Sequence, residues 1–240
     1  MTANESVSSG AHGSAHDSGQ VHAEGHQHDH EREHELETRE FWEERYRDRP
    51  LIWSGRVNPV LAAEVGSWPP GRVLDLGCGE GGDAIWFAER GWEVTAVDVS
   101  AVAIERGTEA AEAAGVADRI SWERHDLAVS FPVGTFDLVS AQFFQSPIDL
   151  PRAEILGRAA AALRPGGALL AVSHAAFPPW STQHDPKHRF PTPQEELDAL
   201  ALDPARWDTV RCEVVEREGS SPDGQTGTLL DGVVLVRRRG

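Results

Sequence analysis

Residues Val73–Gly91 read VLDLGCGEGGDAIWFAERG, and this stretch narrows the choice of fold and ligand more than any other part of the chain. A Val- and Leu-rich run leads into closely spaced glycines and then into a helical pattern, which predicts a strand, a tight turn and a helix. Gly77, Gly79 and Gly82 match the G-x-G-x-x-G pattern of dinucleotide-binding loops, whereas a second pattern, D-x-G-x-G-x-G, begins at Asp75. Because both patterns bring backbone close to a ligand, the glycines alone leave its identity open.

The carboxylate of Asp75 separates the two candidate ligands by charge. At the end of the first strand it would face an anionic pyrophosphate in a dinucleotide site, and that interaction is repulsive. S-adenosylmethionine carries a sulfonium and an ammonium and no phosphate, so the same carboxylate attracts it. Asp98 lies about 20 residues after the loop, where an acidic side chain accepts hydrogen bonds from ribose hydroxyls in either cofactor. Asp75 therefore favours S-adenosylmethionine, and Asp98 indicates only a cofactor that carries ribose.

Strand-like and helical patterns alternate along most of the chain. Apolar runs occur at EVTAVDV, ISWERHD, FDLVSAQ and ALLAVSH, and helical patterns separate them. Such alternation predicts a doubly wound α/β fold, in which a mostly parallel sheet is covered on both faces. Helices are also predicted from Glu33 to a point before Pro50 and at Pro59–Val65. Near the C-terminus, two strand-like stretches flank SSPDGQTG, which predicts an antiparallel hairpin at the edge of the sheet.

Composition excludes several classes of function. The formal charge of −17 and the scattered Lys and Arg residues argue against a nucleic-acid partner. The chain has no apolar run of about 18 residues and no signal-peptide pattern, so we expect no membrane partner and a cytoplasmic location. Cys78 and Cys212 are too few for a disulfide framework, which predicts reduced thiols.

The first 32 residues differ in composition from the rest. They consist mainly of Gly, Ser, Ala, His and acidic residues, which predicts a disordered tail at 1–32 and a folded domain at 33–240. Several tail histidines lie among carboxylates, and they suggest weak binding of a transition metal such as zinc or nickel. A solvated tail with incidental histidines is an equal alternative. The candidate ligands are His22, His26, His28 and His30.

These motifs resemble those of the class I S-adenosylmethionine-dependent methyltransferases. The likeness includes RHDL (Arg124 to Leu127), FDLVSAQ and LRPGGALLAVSH, and it extends from about Trp42 to Gly240. It implies a Rossmann-like, mostly parallel seven-stranded sheet, S-adenosyl-L-methionine as cofactor and a methyl acceptor. FWEERY, followed by Trp53 and Asn58, resembles the small-molecule branch that includes tellurite-resistance and thiopurine methyltransferases.

The resemblance assigns cofactor roles at the carboxyl ends of the strands. In the third motif, Asp126 would contact the adenine amino group, with the Leu127 backbone beside it. Each of these residues also has a structural interpretation, since Asp98 could be a helix N-terminal acid and Asp126 a turn former. The predicted cofactor-binding residues are Asp75, Gly77, Cys78, Gly79, Gly81, Asp98, Val99, Asp126, Leu127 and Gln142.

Polar residues after the fourth and fifth strands are candidates for the substrate site. Gln142, Gln145 and His174 fall at the edge where a doubly wound sheet places its active site, although strand-end polar groups also satisfy loop backbone. His174 is the candidate base if the acceptor is an alcohol or amine, whereas a soft anion needs none. The aromatic candidates also suit core or lid packing. The predicted substrate-binding residues are Trp42, Tyr46, Trp53, Gln145, His174 and Trp180.

A metal site within the domain is not expected. His184 and His188 are spaced i, i+4, but Pro186 between them disfavours the helix that would place both on one face. The segment that contains them is predicted instead to be a loop that covers the substrate.

The sequence thus predicts a methyltransferase that acts on a small molecule. After the fourth strand, SAQFFQSP replaces the Asn/Asp-Pro-Pro-aromatic motif with which many relatives hold a planar amine. Thiols and other soft nucleophiles therefore rank first as acceptors, ahead of phenols and amines. Two alternatives remain: a non-catalytic module that binds the adenosyl cofactor or a metal, and an NAD-dependent oxidoreductase.

Overall fold

The computed structural model describes residues 36–182, 188–221 and 223–240. Seven strands form one sheet in the described chain. They are β1 (Arg72–Leu76), β2 (Glu93–Asp98), β3 (Ile120–Arg124), β4 (Phe136–Gln142), β5 (Leu163–His174), β6 (Trp207–Ser220) and β7 (Thr226–Arg238). The helices are α1 (residues 36–47), α2 (Pro59–Val65), α3 (Gly82–Glu89), α4 (Ala101–Ala114), α5 (Arg152–Ala161) and α6 (Pro193–Ala199).

The strand order across the sheet is β3-β2-β1-β4-β5-β7-β6. Strands β1 to β5 are parallel to one another, whereas β7 is antiparallel to both β5 and β6. The predicted doubly wound, mostly parallel sheet with a C-terminal hairpin is therefore confirmed. Because the five parallel strands point the same way, their carboxyl ends share one edge of the sheet.

Side chains that alternate along each strand build two separate cores. On the first face of the sheet, Val73 and Leu170 pack with residues of α2, α3 and α4. On the second face, Leu74 and Leu169 pack with α5 and with the residues around α6. Continuing the alternation to the strand ends places Asp75 on the first face, where polar groups replace the core.

Local signals in the sequence account for the helix boundaries. Asn58 begins α2, since its Oδ1 accepts a hydrogen bond from the backbone N–H of Val60 at 2.8 Å. Ser100 caps α4 in the same way, and Gly115 ends it with a φ of 72°. The predicted helix from Arg152 ends at Ala161, two residues earlier than expected, because Leu163 already begins β5.

Residues 36–182, 188–221 and 223–240 include no helix that combines the length and the apolar character needed to cross a bilayer. The tail histidines and His184 lie outside the described residues, so the predicted tail and its metal ligands receive no structural account.

Candidate active site

Three glycines shape the turn between β1 and α3. Gly77, Gly79 and Gly81 have φ angles of 65°, 53° and 82°, in the left-handed region that residues with a Cβ rarely adopt. The turn is tied to the neighbouring strand, because the N–H of Gly79 donates to Oδ2 of Asp98 at 2.9 Å and the N–H of Cys78 donates to the carbonyl of Val97. The sequence pattern therefore produces a rigid backbone turn at the carboxyl edge of the sheet.

Buried carboxylates surround this turn. Asp75 is only 2% exposed, and its Oδ2 has no hydrogen-bond partner among the described residues. Burial raises the pKa of Asp75 well above its usual range, and the nearby carboxylates of Asp83 and Asp98 add to the rise. Burial also raises the pKa of Asp83 to about 6, although its Oδ1 accepts a hydrogen bond from the N–H of Asn58 at 2.7 Å. A bound cation would relieve this concentration of negative charge.

Asp98 lies at the end of β2, where the sequence predicts the ribose contact. Its Oδ1 accepts from the N–H of Ser100 at 2.9 Å, and Oδ2 accepts from Gly79. Burial raises the pKa of Asp98, while these backbone hydrogen bonds oppose the rise. Each carboxylate oxygen can accept a second hydrogen bond, so the side chain retains capacity for hydroxyl donors.

The third motif lies beside the second at the same edge. The N–H of His125 donates to the carbonyl of Asp98 at 3.1 Å, and Asp126 accepts from the N–H of Ala128 at 2.9 Å. Both Asp126 and Leu127 are buried. The carbonyl of Val99 accepts from Nε of Arg124 at 3.0 Å. The structure thus brings the predicted ribose and adenine residues into one continuous edge.

Aromatic side chains lie directly over the glycine turn. Nε1 of Trp53 donates to the hydroxyl of Tyr46 at 3.0 Å, and a Cβ on Gly79 would lie 3.0 Å from each of these two atoms. A Cβ on Gly77 would lie 2.7 Å from the ring of Phe144. Tyr46 and Trp53, expected near the substrate, therefore contact the cofactor turn. Trp42 packs beside Tyr46, with 6.2 Å between their ring centroids.

Two glutamates that the sequence analysis did not single out hold the segments above the turn. Glu43 of α1 accepts hydrogen bonds from the hydroxyl of Ser100 and the N–H of Ala101, at the start of α4. Glu80, within the glycine turn, accepts from the N–H groups of Ile52 and Trp53 at 3.1 Å. Glu80 could have been suspected from its position in GCGEGG. Glu43 could not, because its partners lie more than 50 residues away in sequence.

A cavity of about 680 Å³ lies between the β4–α5 and β5–α6 connections. Gln145 and His174, two of the predicted substrate-binding residues, line it. Phe144 connects the two regions, because its ring lies against Gly77 while its carbonyl accepts from Nε of Arg152, which lines the cavity. The apolar part of the lining includes Ile148, Leu150, Leu156, Phe177, Phe190 and Leu200.

The polar residues after β4 and β5 have distinct environments. Nε2 of Gln142 donates to Ser140 at 3.1 Å, and its Oε1 is buried with no partner in the described chain. Oε1 of Gln145 accepts from the N–H of His174 at 2.9 Å, so Gln145 satisfies backbone, as one interpretation allowed. Loss of hydration lowers the pKa of His174; Asp231 opposes that shift.

Of the two remaining positions, His188 also lines the cavity, whereas Trp180 is not among its lining residues. Trp180 packs near β7, since a Cβ on Gly227 would lie 3.6 Å from its ring. His188 packs against the rings of Phe177 and Phe190. In the part of the chain that the structure describes, no three His, Cys, Asp or Glu side chains are arranged to hold a metal ion.

The motifs and the topology together identify the family. Residues 73–167 match the family of methyltransferase domains. Residues 73–167 thus correspond to a methyltransferase domain. The predicted family, the class I S-adenosylmethionine-dependent methyltransferases, and the Rossmann-like fold are confirmed.

Relatives of this methyltransferase domain act on different acceptors. One is the ribosomal RNA small subunit methyltransferase C of Alcanivorax borkumensis, 36% identical over 45% of this chain and 34% of that protein. Another is the probable thiol methyltransferase 2 of Arabidopsis thaliana, 32% identical over 55% of this chain and 60% of that protein. The chain thus spans less than two thirds of the length of either relative.

A solved structure shares the fold over most of the chain. It is the N-methyltransferase NodS from Bradyrhizobium japonicum, determined in complex with S-adenosyl-L-homocysteine. Its TM-score is 0.60 at 19% identity, and the alignment covers 85% of this chain and 100% of that one. The shared architecture therefore includes the whole of the other chain.

Proposed function

We propose that this protein is an S-adenosylmethionine-dependent methyltransferase whose acceptor is a small molecule. The observation that carries the proposal is the buried oxygen of Asp75, which has no hydrogen-bond partner among the described residues and lies beside a rigid glycine turn. A buried carboxylate without a partner is costly, and a cationic ligand would offset the cost. S-adenosylmethionine supplies that cation and an electrophilic methyl group.

Different residues around the turn bind different parts of the cofactor. Asp75 attracts its cationic amino-acid end, Asp98 accepts from ribose hydroxyls, and Asp126 contacts the adenine. Gly77, Gly79 and Gly81, with Cys78, allow close approach of backbone, and Val99, Leu127 and Gln142 complete the predicted set. An NAD-dependent oxidoreductase is disfavoured, since the buried carboxylate of Asp75 would repel a pyrophosphate.

The acceptor enters through the cavity side of the site. A lining rich in apolar side chains favours a small molecule with apolar surface over a polyanion. The charge of −17 also disfavours RNA, although one relative is a ribosomal RNA methyltransferase. The thiol methyltransferase relative favours a soft acceptor, so thiols rank first and phenols or amines second.

The proposal also covers the cellular setting and the tail. Cys78 and Cys212 are both unbridged, as expected in the reducing cytoplasm. Residues 33–240 are proposed as the catalytic unit and 1–32 as a tail with weak affinity for transition metals.

Calorimetry tests the cofactor assignment directly. The full chain is titrated with S-adenosylmethionine, its demethylated product and NAD, and only the first two are expected to bind. Asp75→Asn should weaken binding of S-adenosylmethionine about 10- to 100-fold, which corresponds to the loss of one charge-assisted contact. Asp118→Asn, an equivalent change at an exposed position, is the matched control. Tighter binding by Asp75→Asn would refute the electrostatic argument.

A radiolabelled methyl donor then tests the acceptor class. Thiol, selenite, tellurite, phenol and amine acceptors are screened with the full chain, and methylation of a thiol is expected. Binding of the cofactor without any methyl transfer would favour the non-catalytic module. Methylation of tRNA or ribosomal RNA with no small molecule modified would overturn the substrate assignment.

A further inference from the structure

A buried carboxylate lies directly beside His174. Asp231 of β7 is the register partner of His174 in the antiparallel pair with β5. Directly opposed residues of such a pair project from the same face, with Cβ atoms about 4.5–5.5 Å apart. The two side chains are therefore direct cross-strand neighbours on one face of the sheet.

Asp231 has one oxygen in use and one available. The residue is 0% exposed, and its Oδ2 is paired with Nε of Arg217. Its Oδ1 is buried and makes no hydrogen bond within the described ranges. Burying a carboxylate oxygen without a hydrogen-bond donor costs free energy. Such an oxygen indicates either that function requires it or that a donor binds to it at a later step.

The surroundings of His174 hold its ring in a defined place. The imidazole stacks on Phe143, with centroids 4.3 Å apart and planes at 18°. Phe143 adopts a φ of 50°, a left-handed conformation that residues with a side chain rarely adopt and that is found mainly where the surrounding structure enforces it. The guanidinium of Arg217 lies 5.5 Å from the Phe143 ring. Gln145 fixes the His174 backbone through its N–H.

Charges on β7 and β6 act on His174 in opposite directions. Partial burial lowers its pKa, Asp231 raises it, and Arg217 lowers it. The other charged or titratable side chains of the cavity that His174 lines are Asp149, Arg152, His188, Arg189, Glu195 and Glu196. Of these, Arg152 is paired with Glu196 and Arg189 with Glu195.

We propose that Asp231 is a positioning residue that orients His174 to take the proton from the methyl acceptor. The inference rests on the proposed function, since it assigns a proton path to that reaction. The acceptor's lone pair forms the new bond to the methyl carbon, and the S–CH3 bonding pair passes to sulfur. The acceptor's proton passes to a ring nitrogen of His174, and Asp231 stabilises the imidazolium until the proton reaches solvent.

This arrangement predicts which acceptors depend on the pair. A thiophenol is already ionised near neutral pH, so its methylation needs no base. A phenol retains its proton because its pKa is near 10, and its methylation depends on His174 and Asp231. Phenol and thiophenol therefore form a matched pair of probe acceptors.

The first experiment measures the titration of His174 in the full chain without any acceptor. The ring signal is assigned by its loss in His174→Gln. Asp231→Asn should lower the pKa of His174, because the carboxylate that favours the imidazolium is removed. Asp208→Asn, an exposed residue near the other end of the hairpin, should leave the titration unchanged. An unchanged titration in Asp231→Asn would overturn the pairing.

The second experiment measures methyl transfer to the two probes across pH. Asp231→Asn should lower kcat for phenol at least tenfold with little change in KM, and Asp231→Glu should restore part of the rate. Thiophenol methylation should change less than threefold. Equal losses for both probes at all pH values would indicate a merely structural role and refute the proposal.

Separate control experiments test folding and the proposed function. Asp231→Asn leaves Arg217 without its partner, so the double variant Arg217→Gln/Asp231→Asn, which removes both charges, replaces it if the single variant does not fold. Selective loss of phenol methylation is expected there too. Failure of the wild type to bind S-adenosylmethionine would refute the proposed function, while the His174 titration would still test the pairing.

Discussion

The glycine turn and the cavity share one edge of the sheet but are built in different ways. The turn comes from one continuous stretch, residues 75–83, and backbone conformation determines its shape. The cavity is assembled from three separated segments, at 145–156, 174–178 and 188–200, and side chains determine its shape. One region is encoded locally, whereas the other exists only after the chain has folded.

This difference indicates how each region recognises its ligand. Around the turn, the buried carboxylates and the glycines with left-handed φ angles tolerate few replacements. Single substitutions there should therefore have large effects on cofactor binding. Around the cavity, many apolar side chains each contribute a small part, so acceptor specificity is distributed over the lining. The chain is similar to enzymes named for different acceptors, a ribosomal RNA methyltransferase and a probable thiol methyltransferase.

The largest effect should come from Gly77→Ala. Its φ of 65° disfavours a side chain by about 1–2 kcal/mol, and the new Cβ would lie 2.7 Å from Phe144. Affinity for S-adenosylmethionine should fall tenfold or more by calorimetry. Gly115→Ala, with a φ of 72° and open space around it, is the control and should lose stability but not affinity. If the two variants bound S-adenosylmethionine with equal affinity, the glycine turn would have no special role in cofactor binding.

An intermediate effect should appear in the pH dependence of the stabilisation that bound S-adenosylmethionine gives to the protein. Asp83, whose pKa rises from 3.8 to about 6, binds its proton more tightly in the folded state. Its contribution to stability is complete below about pH 4 and is lost as pH rises through about 6; the raised pKa of Asp75 acts in the same direction. A bound cation offsets the loss, so S-adenosylmethionine should raise Tm more at pH 7.5 than at pH 5.

Thermal shifts at the two pH values check this prediction. Asp75→Asn should flatten the pH dependence, because one of the repelling carboxylates is absent. A stabilisation that is equal at both pH values, or larger at pH 5, would contradict the role assigned to the buried carboxylates.

The smallest effect on catalysis should follow removal of residues 1–27. Methyl transfer should be unchanged, because the proposed site residues all lie after residue 40. Uptake of zinc or nickel, measured by equilibrium dialysis, should fall because His22 and His26 are removed. Loss of methyl transfer on truncation would show that the tail contributes to the site.

Sequence reasoning succeeded where the signal was local. The strand, turn and helix around Gly77 rest on residues within a few positions of each other. The substrate contact of Tyr46 and Trp53 stays a prediction, and the structure shows in addition that both side chains contact the glycine turn. That contact depends on Glu80, which holds the segment before Trp53 by hydrogen bonds between residues 27 and 28 positions apart. No periodicity or spacing reports such a contact.

The amino-acid sequence by itself determined the α/β class, the mostly parallel sheet and the acidic character of the glycine turn, because those follow from backbone propensity and from charge. Only the tertiary structure decided that β7 lies between β5 and β6, and with it that Asp231 faces His174. The hairpin pattern alone allows either strand to join the sheet. Burial of Val233–Val236 against β5 decides between them, and the antiparallel register then places Asp231 opposite His174.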